Sequence, residues 1–301
     1  MTLNHLVLIG GGHANVLLIR KWLMNSKLMP KIPISIISRD CHLVYSAMFP
    51  SVISKSIRLE DSLIDVSSLA RKAKISFIKA EVENIDFKLK KIILKNRPPI
   101  KYSKVVLNYG SNTRISDEFV DLVKRDIAFP IKPFLKAYDL ITKEDKYNSE
   151  KELPFVIVGS GLAAIEVSFA LRKRWDKRVL KIVCNKKKIN SKILKTLKQS
   201  NIDLVDQITF SYGRIILCTG NEPPLWIKNN ILDLDSKGRI ITNQKLHVGY
   251  YSGIYAVGDC AVIDSYRRPA SGIFAVKVFP TPDIPKIARR LFLAVLHSSQ
   301  F

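Results

Sequence analysis

The sequence predicts an α/β fold with two parallel-sheet domains. A short apolar strand, a glycine-rich turn and a helix follow one another twice, and the glycines that open the two turns, Gly10 and Gly159, are 149 residues apart. Each helix leads to a second buried strand within about 30 residues, and such strand–helix–strand units are typical of parallel sheets. The length of 301 residues is also sufficient for two domains of ~150 residues.

The first half of the chain contains six predicted strands and two predicted helices. The strands are short apolar runs, and the helices have apolar residues at helical spacing. Two of the strands flank a short polar turn, which predicts a hairpin. In chain order the strands lie at 5–10, 34–38, 75–80, 82–87, 91–95 and 104–110, and the helices at 13–24 and 67–73.

The pattern begins again in the second half. A polar, charged stretch at 142–153 predicts a linker at a domain boundary. After it, strands are predicted at 154–159, 179–184, 214–220 and 254–259, with a helix at 162–174. A last helix is predicted at 284–296, with Thr281 as its cap, Pro282 at its first position and Pro285 inside its first turn.

The first glycine turn runs from Gly10 to Asn15 and reads GGGHAN. Glycine permits a tight turn and close approach of the backbone to a pyrophosphate, and the helix that follows offers free N–H groups to that anion. The side chain of Asn15 either fits between helix and strand or contacts the ligand. After the second strand, Asp40 is a candidate for binding the adenosine ribose and Arg39 for binding a phosphate; a capped turn is the alternative.

The second turn, GSGLAA, runs from Gly159 to Ala164 and opens the helix that carries Glu166. At the end of the next strand, Asn185 is followed by three lysines at 186–188 and no acid. An acid at this place selects the unphosphorylated ribose of NADH, whereas lysines favour the 2′-phosphate of NADPH. The alternative is that this domain binds no nucleotide. Two such turns in one chain indicate FAD in one domain and hydride delivery from the other.

Composition excludes several classes of protein. Hydrophobic residues make up 47% and charged residues 25% of the chain, as in globular proteins. The apolar run at 291–295 is far shorter than the ~20 residues of a membrane span, and the start does not read as a signal peptide. The four cysteines form no CxxC pair, which argues against a zinc site or a disulfide framework. We therefore expect a cytoplasmic protein, at most peripheral to a membrane.

The net charge is +23, and the stretch 172–198 contains twelve basic residues and one acid. One interpretation is a solvated lysine-rich surface, and another is attraction to an anionic membrane surface or an acidic protein. Nucleic-acid binding is not expected, because no zinc finger, helix-turn-helix spacing or aromatic-basic RNA pattern accompanies the charge.

Five motifs occur in the order GGGHANV, NYGSN, VGSGLAAIE, CTGNEPPLW and IYAVGDCA. Together they resemble the FAD-dependent pyridine nucleotide-disulfide oxidoreductases, a flavoprotein family that includes type II NADH dehydrogenases, sulfide:quinone reductases and disulfide reductases. The segments SRDCHLVYSAMFPSVIS and RRPASGIFAVKVFP are most similar to the NADH-dehydrogenase-like module found fused ahead of selenide, water dikinase, and to its stand-alone relatives.

The resemblance implies two Rossmann-like dinucleotide-binding domains, with an NAD(P)H domain at 116–234 inserted into an FAD domain split between 1–115 and 235–301. It implies that Asp259 binds the ribityl chain of FAD, that backbone near Val82 holds the adenine, and that Glu166 and Lys132 form a catalytic pair beside the flavin. The implied nucleotide-contacting residues at the turns and strand ends are Gly10, Gly12, Gly110, Gly159, Gly161, Ala164, Gly220 and Gly258.

Departures from the family limit the expected chemistry. No CxxxxC follows the first strand–helix–strand unit, so dithiol exchange is not expected and Cys41 and Cys260 are interpreted as structural. The NAD(P)H domain is short after Cys184, and Phe279 stands where the module tends to have a small residue. The C-terminal segment of the relatives is missing from this sequence, which puts quinone reduction in doubt, and no kinase part is present.

We therefore expect an FAD-dependent NAD(P)H oxidoreductase. Hydride passes from the nicotinamide to the flavin, and the electrons leave to an unidentified acceptor, a quinone or a small molecule. The alternative is a non-catalytic flavin-binding partner or regulatory protein whose NAD(P)H domain is degenerate.

Overall fold

The computed structural model describes residues 4–228, 230–249, 251–264 and 268–270. These residues form two compact units. The second unit consists of Val44–Leu63 and Asn112–Glu222, and the first contains the rest of the described chain. The described residues contain no helix with the length and apolarity needed to cross a bilayer.

The strands are short and are numbered in chain order. They are β1 (Leu6–Ile9), β2 (Ile34–Ser38), β3 (His42–Val44), β4 (Leu63–Asp65), β5 (Ser76–Lys79), β6 (Val82–Asp86), β7 (Lys91–Leu94), β8 (Arg97–Lys101), β9 (Lys104–Leu107), β10 (Asn112–Thr113), β11 (Ala128–Pro130), β12 (Phe155–Val158), β13 (Leu180–Val183), β14 (Ile202–Val205), β15 (Ile215–Leu217), β16 (Asn221–Glu222), β17 (Ile240–Thr242), β18 (Ile254–Ala256), β19 (Gly258–Ile263) and β20 (Arg268–Ala270).

The helices lie between these strands. They are α1 (His13–Met24), α2 (Phe49–Ile53), α3 (Val66–Lys72), α4 (Asp117–Lys124), α5 (Phe134–Lys143), α6 (Leu162–Arg174), α7 (Ser191–Gln199) and α8 (Leu225–Lys228). The predicted helices at 13–24 and 162–174 are confirmed to the residue as α1 and α6. The predicted helix at 284–296, with Thr281, Pro282 and Pro285, lies outside the described residues, as does Phe279.

The first unit is built on a parallel sheet with the strand order β18-β9-β1-β2-β5. The chain runs from β1 outward through β2 to β5, and later fills the other side of β1 with β9 and β18. The order therefore reverses between β1 and β9, and ligands of open α/β sheets bind at the carboxyl ends of the strands beside such a reversal. The hairpin predicted at 82–95 is confirmed as β6 and β7, and β8 extends it to three strands.

The second unit also has a five-stranded parallel sheet, with the strand order β11-β15-β12-β13-β14, but its edge strand β11 precedes the other four in the chain, whereas β18 follows the others of its sheet. The reversal lies between β12 and β15. In β12 the side chains of Phe155 and Ile157 belong to one apolar core, and those of Val156 and Val158 to another. The sheet is therefore covered on both faces, as expected for a parallel sheet. Two five-stranded parallel sheets confirm the predicted pair of Rossmann-like folds.

The division of the chain differs from the expected bounds of 116 and 234. The second unit begins at Asn112, ends at Glu222 and also takes in Val44–Leu63. The reason for the last difference is apolar packing, because Phe49, Val52 and Ile53 of this segment are almost fully buried in the core of the second unit.

The predicted linker at 142–153 is wrong, because this stretch lies within the second unit and carries a buried ion cluster. Glu144 is 3% exposed, and its carboxylate accepts a hydrogen bond from Arg178 at 2.8 Å and forms an ion pair with Arg214 at 3.0 Å. The next residue, Asp145, accepts from Arg174 at 2.6 Å. Arginines 174 and 178 belong to the basic stretch at 172–198, so part of that stretch is internal rather than surface.

Candidate nucleotide-binding sites

The first glycine turn follows β1 at the carboxyl edge of its sheet. Gly10 has a φ of +92°, a left-handed conformation that favours glycine. A Cβ at Gly10 would overlap the carbonyl oxygen of Asn108, and a Cβ at Gly12 would overlap the side-chain oxygen of the same residue. Gly12 is the N-cap of α1. These glycines are therefore required by the close approach of the turn to the end of β9.

The side chain of Asn15 lies between α1 and β1. This is the first of the two alternatives that the sequence leaves open for it. Its side chain is 0% exposed, and its amide donates to the carbonyl oxygen of Gly10 at 2.8 Å and to that of Ile9 at 3.4 Å. Asn15 thus holds the turn against the helix. A side chain without accessible surface favours this first alternative over direct contact with the ligand.

Asn108, at the end of β9, was not singled out by the sequence analysis as a site residue. Its side-chain oxygen accepts the backbone N–H of Asn15 at 3.1 Å, and its amide donates to the carbonyl oxygen of Val257 at 2.9 Å. It is 3% exposed. One side chain thus joins the glycine turn to the segment that precedes Asp259.

Asp259 is exposed at the start of β19, after Gly258, whose φ is +77°. It interacts electrostatically with His13, the first residue of α1. Burial lowers the pKa of His13, and the Asp259 carboxylate opposes this without cancelling it, so the pKa stays below its usual value. Gly110 also has a positive φ, and a Cβ there would meet nothing within 4 Å. The structure thus brings Gly10, Gly12 and Gly258 together around Asn108, and it places Asp259 within electrostatic reach of His13.

Arg39 and Asp40 follow β2 and form an ion pair with each other at 3.3 Å. Both side chains are more than half exposed, at 61% and 56%. Either is therefore accessible to a ribose or phosphate, and the structure leaves both alternatives open. Val82 is the first residue of β6 in the hairpin sheet of the same unit.

The second glycine turn is built like the first. The N–H of Gly159 donates to the carbonyl oxygen of Val183 at 3.0 Å, as Gly10 donates to Ile37 at 2.8 Å. A Cβ at Gly159 would overlap the carbonyl oxygen of Cys218, at the end of β15. Ala164 is fully buried beneath the turn.

Open space surrounds two other glycines of the second site. Gly161 is the N-cap of α6, and Gly220 follows β15 with a φ of +98°. A Cβ at either residue would meet nothing within 4 Å. The carboxyl edge of this sheet therefore leaves room for a ligand beside the turn.

The end of β13 carries the side chains expected to meet the coenzyme ribose. The N–H of Asn185 donates to the Ser160 hydroxyl at 2.9 Å, which ties this strand end to the glycine turn. Lys186 pairs with Asp206, which follows β14, at 3.3 Å, whereas Lys187 is exposed. The expectation of no carboxylate here is thus corrected, since Asp206 comes from the neighbouring strand and partly offsets one lysine.

Glu166 and Lys132 both belong to the second unit. Glu166 is exposed on α6, and the described residues give its carboxylate no hydrogen bond or ion pair. Lys132 is half-buried, and its Nζ lies 5.9 Å from the centre of the Phe134 ring. The described residues show no direct ion pair between Lys132 and Glu166, and their implied joint role beside the flavin stays a prediction. Glu166 is available to a ligand, since nothing in the described chain neutralises it.

All four cysteines are free thiols. Cys184, Cys218 and Cys260 are buried, and Cys41 is partly exposed. Burial raises the pKa of both Cys218 and Cys260 to about 12, so neither thiol ionises near neutral pH. A buried thiol that does not ionise is a poor nucleophile, so neither of these two cysteines is a reactive thiol.

The two helix N-termini fit the diphosphates of dinucleotides. In both α1 and α6 the N-cap is glycine, no side chain of that residue caps the helix, and the first turn contains no acid. In α1 the N–H of Asn15 already donates to Asn108, but other N–H groups of the first turn and the positive end of the helix dipole remain available to an anion at each site. A helix with an acidic or serine cap would have satisfied these groups internally.

Comparisons with known proteins agree with this geometry. The family model for pyridine nucleotide-disulphide oxidoreductases matches residues 4–210. A probable NADH dehydrogenase of Dictyostelium discoideum is 25% identical, over 88% of this chain and 73% of its own length. A type II NADH:quinone oxidoreductase of Staphylococcus saprophyticus is 23% identical, over 85% of this chain and 74% of its own.

Solved structures share the fold. The reduced CoADR-RHD of Bacillus anthracis aligns with a TM-score of 0.75 at 16% identity, over 92% of this chain and 57% of that one. The sulfide:quinone oxidoreductase of Aquifex aeolicus aligns with a TM-score of 0.70 at 16% identity, over 98% of this chain and 78% of its own. With the two glycine turns and the two sheets, the family match leads to one conclusion: the chain belongs to the pyridine nucleotide-disulphide oxidoreductase family, which uses FAD and NAD(P)H.

Proposed function

We propose that the first unit binds FAD, that the second binds NAD(P)H, and that the chain reduces an acceptor with electrons taken from the coenzyme. The observation that carries this proposal is the pair of helix N-termini with glycine as N-cap, each behind a glycine turn at the reversal point of a parallel sheet. When bound, NAD(P)H supplies a hydride and FAD accepts it and passes the electrons on.

The residues of the chain supply position and charge. In the first unit, the α1 N-terminus and its glycine turn bind the FAD diphosphate, and Asp259 accepts hydrogen bonds from the ribityl hydroxyls. In the second unit, Gly161 leaves space for the coenzyme diphosphate against α6. Glu166 presents a free carboxylate one turn further along that helix. These assignments need no cysteine, in keeping with the buried thiols.

The test of this function is an anaerobic titration of the purified holoprotein with NADH and NADPH. Bleaching of the visible flavin absorption by either coenzyme supports the proposal, because only hydride transfer removes that band under these conditions. A flavin that remains oxidised would support the non-catalytic flavin-binding alternative. Protein that neither contains nor takes up FAD would overturn both.

The acceptor is proposed to be a quinone or a small molecule. Quinone appears in the names of similar proteins, and the described chain offers no reactive dithiol. Mixing the NAD(P)H-reduced protein with a water-soluble quinone, and separately with oxygen, measures which one restores the oxidised flavin faster. Faster reoxidation by a disulfide substrate than by either would contradict this acceptor class.

Glu166→Gln is expected to leave FAD bound but to slow flavin reduction or reoxidation by roughly tenfold or more, the scale of a lost proton-transfer or charge contribution. Stopped-flow absorbance of the two half-reactions measures it. Glu152→Gln is the matched control, since Glu152 is exposed just before β12, at the amino end of the sheet. Equal rates in the Glu166 variant and the wild type would assign Glu166 a surface role.

NADPH is expected to reduce the flavin at least as well as NADH at low salt, with an advantage of ~1 kcal/mol or several-fold in affinity from the exposed lysine. Lys187→Ala should lower the ratio of the affinity for NADPH to the affinity for NADH. Added salt should lower the same ratio in the wild type, because exposed charge contacts are screened. Lys195→Ala, on the exposed face of α7, controls for overall charge. A preference for NADH at low salt would refute the prediction.

A further inference from the structure

We propose that Asn108 positions the FAD-binding segments of the first unit and caps α1 without adding charge. The inference rests on the proposed binding of FAD in that unit. It assigns a role to a residue that lies outside the glycine motif. It deepens the proposed function by naming how the separate segments of the FAD site are held in register.

The first step of the argument is the connection that Asn108 makes. Asn15 lies 93 residues before it and Val257 lies 149 residues after it, and its carboxamide bonds to the backbone of both. The segment after Val257 carries Gly258 and Asp259. Both partners of one planar amide are therefore fixed relative to each other, so the glycine turn and Asp259 keep a constant spacing.

The second step is steric fit. A Cβ at Gly10, Gly12 or Gly258 would overlap an atom of Asn108. The three glycines thus pack directly on this residue from both segments. At 3% exposure its side chain has no alternative partner in water, and a buried amide that loses its hydrogen bonds costs roughly 1–3 kcal/mol. The connection is therefore rigid.

The third step concerns charge. The bond from the Asn15 N–H is the bond that an N-cap side chain makes to the third residue of a helix, yet Gly12 holds the N-cap position and cannot make it. Asn108 supplies it from another strand. Because a carboxamide is neutral, the positive end of α1 stays available to a diphosphate, whereas a carboxylate in its place would compete with that anion.

At the matching position of the second sheet stands Cys218. The N–H of Cys218 donates to Val158 at 2.8 Å, as the N–H of Asn108 donates to Ile9 at 2.7 Å. The buried Cys218 thiol makes no comparable link among the residues that the structure describes. The bridge is therefore an addition specific to the first unit, and the shared backbone geometry does not require it.

The test compares FAD dissociation constants of apoprotein variants, by flavin fluorescence titration, with the unfolding temperatures of the same apoproteins. Asn108→Ala removes both bonds and should raise the FAD dissociation constant at least tenfold. Asn108→Asp keeps the bond to the Asn15 N–H, so α1 remains capped, but it loses the amide donor to the carbonyl oxygen of Val257 and adds a negative charge. It should raise the dissociation constant at least as much as Asn108→Ala while its apoprotein unfolds at a higher temperature than that of the alanine variant.

Thr242→Val is the structural control. Thr242 is 1% exposed and its hydroxyl donates to Val262 on β19 at 3.1 Å, so this variant also loses a buried bond to the backbone of the first unit. It should lower the unfolding temperature with an unchanged FAD dissociation constant.

If the role of Asn108 is purely structural, FAD affinity should follow apoprotein stability, and Asn108→Asp should lose less FAD affinity than Asn108→Ala. That result would overturn the inference. If the alanine variant does not fold, the aspartate variant decides by the same criterion: wild-type affinity overturns the inference, and a tenfold loss supports it. Failure of the wild-type protein to bind FAD would instead refute the proposed function.

Discussion

Replacement of Gly161 by aspartate is expected to abolish reduction by NAD(P)H while the fold remains intact. Gly161 has a φ of −89° and a ψ of 171°, which any residue adopts, and its Cβ would meet nothing within 4 Å. Aspartate is also a favourable N-cap, so α6 should not be weakened. Its carboxylate would stand where the coenzyme diphosphate binds. Repulsion between unit charges about 4 Å apart is worth up to about 4 kcal/mol, so we expect coenzyme affinity to fall roughly 100-fold or more.

Gly161→Asn separates charge from bulk in this experiment. Asparagine has nearly the same shape and is an equally good N-cap, but it is neutral. The asparagine variant should lose much less coenzyme affinity than the aspartate variant. The concentration dependence of anaerobic flavin reduction measures the affinity of each. If both variants reduce the flavin like the wild type, the α6 N-terminus is not the diphosphate site.

Asp259→Ala should lower FAD affinity by roughly 10- to 100-fold, the scale of one or two lost charge-assisted hydrogen bonds. Asp259 is exposed, so the loss should come from the ligand and not from packing. The flavin-to-protein ratio after gel filtration, together with titration of the apoprotein with FAD, measures the effect.

Asp264→Ala is the matched control for this prediction. Asp264 follows β19, is exposed and carries the same charge. This variant changes the net charge equally and should bind FAD as the wild type does. Full FAD occupancy in the Asp259 variant would remove the main support for placing the ribityl chain at this residue.

The sequence predicts the parts of this protein that depend on neighbours along the chain. Helices α1 and α6 begin where a glycine turn ends, and both are recovered to the residue because turn chemistry and apolar spacing agree there. The same local rules identify the two glycine turns and ten of the twenty strands that the structure describes, including all five strands of the first parallel sheet. At these places the local pattern and the tertiary packing favour the same structure.

The features that sequence reasoning missed depend on distant pairs. Asn108 has partners 93 and 149 residues away, and no local pattern marks an asparagine at a strand end as a bridge. Glu144 stands in a stretch that is polar enough to resemble a linker, and only the fold brings Arg178 and Arg214 to it. Asp206 also depends on a distant pair, because it follows β14 and only the sheet brings it to Lys186 at the end of β13.

The interleaved path of the chain has a consequence for its synthesis on the ribosome. The chain passes from one unit to the other after residues 43, 63, 111 and 222. The last residue of the second unit is thus made before β18, the edge strand of the first sheet at Ile254–Ala256. We infer that the second unit completes its sheet first during translation, while the nascent first unit still lacks its edge strand β18. A gene fragment that encodes 112–222 alone would omit the apolar side chains of α2, so this unit is not a contiguous cassette for domain exchange.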